Sequence, residues 1–175
     1  MIKDIRELQP TDKILLDTNT CLFVYGHPNF RYKNRNSNKY VNCQNNFGKG
    51  NVFVCGPVLS EFINKIRDEM WKKWKEDENP HPNDKKAFRN SPYYKNNNIA
   101  DLIAQYAIEM LNEIGCCNSN FDNALAFAFL NEFIKCKQDF NDIIIEEICK
   151  ENALALVTDD SDFKNCSIPI FTAVE

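Results

Sequence analysis

Asp17 follows the aliphatic run KILL, and Glu61 lies in the first turns of a helix that opens at Gly56-Pro57. Asp142 stands at the start of the helical run NDIIIEEICKEN, and Asp159, Asp160 and Asp162 crowd the TDDSDF segment behind ALALV. Carboxylates brought together repel, and each resists ionising beside its neighbours. A hard divalent cation removes that conflict. Oxygen ligands with no His or Cys nearby suit Mg2+ or Mn2+, which keep several waters and meet phosphate oxygens. Such an ion activates a water and neutralises charge developing on a phosphodiester. Each acid also has an ordinary use: Asp17 as a helix N-cap, Glu61 as a solvated helix residue, Asp142 as a partner of the helix dipole, TDDSDF as a turn. Only their conjunction points to a site.

The acids need elements that aim them at one place. KILL, NVFVCG (51–56), ALALVT (153–158) and IPIFT (168–172) are short apolar runs without alternation, the pattern of buried parallel strands. After Pro57, which suits the first helical position, Leu59, Phe62, Ile63, Ile66 and Met70 follow the 3.6-residue period. Ile99, Leu102, Ile103, Tyr106, Met110 and Ile114 form a second amphipathic face, with Gly115 expected as its C-terminal cap. FDNALAFAFLNEFIKCK (121–137) is apolar nearly all round and predicts a buried helix; NDIIIEEICKEN (141–152) predicts another, with Asn141 as N-cap. Strands alternating with helices predict the α/β class: a three-layer α/β/α sandwich around a mainly parallel sheet, in a single domain over 1–175. Polar, Asn-rich insertions are expected near 26–50 and 76–98, the latter as a long loop. Open parallel sheets bind ligands outside the carboxyl ends of their strands. Asp17 and TDDSD share that edge, and Glu61 and Asp142 open toward it.

No apolar run approaches the roughly 20 residues that cross a bilayer, and the start MIKDIRELQP lacks a signal-peptide core. Eight cysteines without a CxxC pair, and two distant histidines, argue against a structural zinc site and for reduced thiols in the cytoplasm. The net charge of −4 hides an asymmetry: +6 over residues 1–100 and −10 over 101–175. Between Asp17 and Glu61 there is no acid, and Arg31, Lys33, Arg35, Lys39 and Lys49 alternate with Phe30, Tyr32, Tyr40 and Phe47. Cations interleaved with aromatic rings suit RNA, a polyanion with stackable bases; a solvated Asn-rich loop is the other use of such a stretch. WKKWKEDE (71–78) can extend the helix that follows Pro57 to bind RNA, a partner or nothing, with Trp71 and Trp74 as packing residues or, less often, base platforms.

Taken in order, ILLDTNTCLF, VLSEFINK and FNDIIIEEICKENALALVTDDSDF resemble the PIN domain, the nuclease fold of VapC-type toxins and several RNA-processing enzymes. The resemblance implies that Asp17, Glu61, Asp142 and Asp160 are catalytic acids binding Mg2+ or Mn2+, with Asp159 and Asp162 near enough to share the metal. Asn19 would orient Asp17, Thr158 would sit beside the metal, and Arg31, Lys33, Arg35 and Lys39 would guide RNA. It also implies a metal-dependent endoribonuclease, a toxin with an antitoxin protein as partner, and a homodimer. The segments 26–50 and 67–98 are longer and richer in Asn than compact toxins have. The strand expected between the middle helices has IGCCNS as its candidate.

Two other readings stand beside this one. A PIN-like fold also serves as a non-catalytic RNA- or protein-binding module. LLDTNT loosely resembles the Asp-x-Asp-x-Thr motif of haloacid-dehalogenase-like phosphotransferases, but Asn19 stands where that chemistry needs an Asp.

Overall fold

Short aliphatic runs become the strands, and longer runs with a helical stripe become the helices that cover them. The computed structural model describes residues 1–33, 36–48, 50–81, 84–118, 123–134 and 139–173, with side chains at all of these except 31–33, 45, 123 and 124. In chain order the elements are β1 (Ile2–Asp4), β2 (Ile14–Leu16), α1 (Thr18–Tyr25), α2 (Pro28–Lys33), α3 (Ser37–Cys43), β3 (Val52–Cys55) and α4 (Gly56–Glu78). There follow α5 (Lys85–Asn90), α6 (Pro92–Asn96), α7 (Ile99–Glu113), β4 (Gly115–Cys117), α8 (Asn123–Phe133), α9 (Phe140–Glu151), β5 (Ala155–Val157) and β6 (Ile170–Thr172).

The strands form one all-parallel sheet in the order β1-β6-β5-β2-β3-β4, and with its helices this is the expected α/β/α layering. Leu16 pairs with Val157 and Leu15 with Phe53, so β2 lies at the centre. All three residues of β2 and all of β5 are buried, as strands covered on both faces must be. From β2 the chain runs outward to β3 and β4, then crosses back to β5 and β6. The switch point therefore lies between β2 and β5, where a crevice opens in sheets of this kind. The helix α4 buries Val58, Phe62, Ile66, Met70 and Trp74, one side chain per turn, each worth roughly 1.5–3 kcal/mol on full burial. WKKWKEDE thus extends this helix. Trp74 packs inward on Phe88, and Trp71 lies under the Lys75 ammonium.

Several expectations are corrected. The described residues of 76–98 are largely helical, not a long loop: α4 runs to Glu78, and α5 and α6 follow from Lys85, anchored by a fully buried Phe88 and an edge-on contact with Tyr94. One buried ring among Asn, Pro and Lys is too sparse a signal for a periodic pattern. The described residues between 26 and 48 include α2 and α3, and α3 packs on α1, where Tyr40 meets Phe23. Helix α8, expected to be buried, exposes Phe127, Leu130, Phe133 and Ile134 and buries Phe129. Among the described residues it packs chiefly on α9, so a helix apolar all round keeps one side in solvent. Gly115 does not cap α7; Ile114 closes that helix, and Gly115 begins β4, where a Cβ would meet the Phe53 ring at 3.0 Å. IGCCNS therefore does supply the edge strand. Helix α9 starts after Asp139, not Asn141. Among the described residues no helix is long and apolar enough to cross a membrane.

Candidate active site

Asp17 leaves the end of β2 and is the N-cap of α1. Its side chain is buried, 5% exposed. The Thr20 backbone N–H donates to Oδ1 at 2.6 Å, and the Thr158 hydroxyl donates to Oδ2. Thr158 is the first residue after β5, and its Oγ1 also accepts from Asp160 N–H at 2.9 Å. Thr20 Oγ1 donates to the Val157 carbonyl at 3.1 Å. A hydroxyl from Thr158, just after β5, and a backbone N–H from Thr20, in α1, thus hold the first acid. The cap reading of Asp17 holds, and the same side chain stands on the wall of a cavity.

Glu61 is on the second turn of α4, half-exposed. Thr18 Oγ1 donates to its Oε2 at 2.9 Å, and Lys65 Nζ lies 3.1 Å from Oε1. Asn19, expected to orient Asp17, instead accepts from Lys65 Nζ through its Oδ1 at 3.1 Å. The backbone explains this, because Asp17 already caps Thr20 and the next side chains of α1 turn toward α4. Lys65 and Thr18 are contributors that the sequence reading missed. An i,i+4 Glu–Lys pair was visible, yet nothing local said which helix would face it.

Asp142 lies in the first turn of α9, and Asp139 at its N-cap position. Together with Asp17, Glu61, Asp160 and Asp162 they line one cavity of about 410 Å3, whose rim also carries Phe133 and Phe140. Asp159 is not on that wall. Neighbours in an extended segment point to opposite sides, and Tyr40 Oη lies 3.2 Å from Asp159 Oδ1 on the far side. Asp160 Oδ1 accepts from Asp162 N–H at 2.9 Å and so caps the short 3-10 turn at Ser161–Asn165. Tyr40, fully buried, donates to the Thr158 carbonyl at 3.0 Å and accepts from Ala173 N–H at 3.0 Å, bracing the loop behind the acids.

Burial pushes the Asp17 carboxyl up to about 6, more than the Thr158 and Thr20 hydrogen bonds pull it down. Asp142 is also raised to about 6, by burial first and then by Asp160, Asp139, Asp162 and Glu61. These are the conflicts that a cation resolves. Among the described residues, no three His, Cys, Asp or Glu side chains gather tightly enough to enclose an ion directly. The carboxylates line a cavity instead, so an ion among them would retain part of its water shell, as Mg2+ prefers. A lining rich in carboxylate oxygens, with one ammonium from Lys65, fits a divalent ion of that kind.

The basic segment reads differently once folded. Tyr40 is buried and cannot stack on a base, while Phe30 and Phe47 pack partly buried against the core. Lys39 is half-buried, with Nζ donating to the Ala173 carbonyl at 2.9 Å. Arg35 and Lys49 lie outside the described residues, as do the side chains of Arg31, Tyr32 and Lys33.

No curated protein matches the chain. A profile of the PIN domain matches residues 14–168, from the start of β2 to the approach to β6. The match takes in all four elements that bring carboxylates to the cavity, and the chain belongs to the PIN-domain family, whose members are generally nucleases using divalent metal ions on nucleic acids.

Proposed function

We propose that the chain is a divalent-metal-dependent endoribonuclease that hydrolyses RNA phosphodiester bonds. The observation that carries this reading is one cavity at the β2/β5 switch point lined by Asp17, Glu61, Asp142, Asp160 and Asp162. Asp17, Glu61, Asp142 and Asp160 would hold Mg2+ or Mn2+, with Asp162 at the same wall and Asp159 turned away. When bound, the ion supplies an activated water and neutralises charge on the phosphate. The chain's own residues supply the rest. Thr20 and Thr158 fix the Asp17 carboxylate, Thr18 fixes Glu61, and Tyr40 holds the β5 loop that carries Asp160. RNA as substrate is supported by the run of cations between residues 31 and 49. The exposed apolar side of α8 supports a protein partner there, in keeping with a toxin, its antitoxin or a second copy, acting in the cytoplasm.

The second reading is a non-catalytic binding module. It is favoured by the protein donors that already occupy both oxygens of Asp17 and of Glu61. Incubating the purified chain with single-stranded RNA and Mn2+ decides between them. The nuclease reading expects cleavage that stops in a chelator and in an Asp142→Asn variant of unchanged circular dichroism. RNA binding without cleavage, or cleavage that Asp142→Asn leaves intact, refutes it.

A further inference from the structure

Lys65 is the only cationic side chain among those described on the wall of the acid cavity. It stands one turn after Glu61 on α4, so the two face the same way. A helix-surface pair of this kind, each partner about 40% exposed, ordinarily adds little to stability. Here the ammonium has a second acceptor that helix pairing does not provide. Nζ lies 3.1 Å from Glu61 Oε1 and donates to Asn19 Oδ1 at 3.1 Å, in the first turn of α1. It therefore ties α4 to α1 across the mouth of the site. The other charges on that wall are all negative: Asp17, Asp139, Asp142, Asp160 and Asp162 besides Glu61 itself.

An ammonium on a four-carbon stem can be redirected without moving the backbone, and it meets phosphate as a point charge. A divalent ion that takes Glu61 at Oε1 competes there with Lys65, because both cations draw on the same oxygen. The released ammonium stays within reach of whatever anion the cavity receives.

We infer that Lys65 is the resident counter-cation of the acid cavity: it occupies Glu61 in the metal-free protein, competes with a divalent ion for that carboxylate, and turns to a nucleic-acid phosphate once the ion is bound. This assignment rests on the nuclease reading and adds a positioning residue to it.

Lys65→Met removes the charge and keeps the stem, and Lys65→Arg keeps the charge. Mn2+ affinity of the whole chain is read by calorimetry and by the thermal shift, without substrate. The Met variant is expected to bind Mn2+ more tightly by roughly tenfold, the scale of one neighbouring like charge, and the Arg variant to match the parent. Affinity for a non-cleavable 2′-O-methyl RNA in Mn2+ is then measured against salt. The Met variant is expected to bind more weakly, with a slope shallower by about 0.7, one phosphate contact on a single strand. Unchanged or weaker Mn2+ binding in Lys65→Met, or an unchanged salt slope, overturns the assignment. A parent chain that binds neither Mn2+ nor RNA overturns the nuclease reading with it, so the two failures are told apart by the parent.

Discussion

Replacing Asp17 by Asn removes a charge from a nearly buried place at the wall of the acid cavity. The carboxyl is 5% exposed, and burial lifts it from 3.8 to about 6. In the unfolded chain it ionises near 3.8, so between those values the folded state holds a proton that the unfolded state has lost. Stability contributed by this group therefore falls as pH rises through that window, and the loss is complete above about pH 6. At 1.36 kcal/mol per pKa unit, the ionised group costs about 3 kcal/mol at pH 8. The asparagine of the variant carries no such cost. Its amide must donate to Thr158 Oγ1, whose own proton then loses the acceptor it had in Asp17, and the mismatch forfeits about 1 kcal/mol. The metal-free variant should then be more stable than the parent by about 2 kcal/mol at pH 8, or roughly 4–8 °C in Tm for a chain of this size. That advantage should shrink and reverse toward pH 4, where the parent's Asp17 is protonated. Thermal melts of both proteins by circular dichroism in a chelator, from pH 4.5 to 8, test the argument. A Tm difference that stays constant across that range would refute it, because the burial of a charge could not then be its cause.

Tyr40→Phe removes the hydroxyl that joins the Thr158 carbonyl to Ala173 N–H, leaving both without this partner; about 1–3 kcal/mol of stability should be lost in a urea titration, with the fold retained. Asp160→Asn should lower RNA cleavage more than Asp162→Asn, and Asp159→Asn should lower it least, since only Asp159 faces Tyr40 and not the cavity. Equal losses in single-turnover assays would show a shared acidic cluster. Phe127→Gln, at a side chain 69% exposed, should change the urea midpoint by no more than about 0.5 kcal/mol of stability; a loss of about 3–5 kcal/mol would mean that α8 is buried as its sequence suggests.

The four central strands, the stripe of α4 and the face of α7 were all legible in the chain, because each is a local pattern repeated over enough residues to be distinctive. So was the shared edge to which Asp17, Glu61, Asp142, Asp160 and Asp162 come, since a parallel sheet sends every strand end to the same edge. Less was legible where one residue does the anchoring. Tyr40 and Phe88 are solitary rings in polar sequence, and each organises a helix that composition alone assigns to a loop.

What the sequence determined by itself is therefore the edge of the sheet and most of the carboxylates that line it, Asp139 being added by the fold. The tertiary structure alone decided how they are held. Whether Asp159, Asp160 or Asp162 faces the cavity depends on the φ and ψ of a turn and on a tyrosine more than a hundred residues earlier. Whether Asn19 serves Asp17 or Lys65 depends on the angle at which α1 meets α4. Hydrophobic period is read along the chain, one neighbour after another. Hydrogen-bond partners and buried charges depend on segments distant in sequence, and these come into contact only after the sheet has closed.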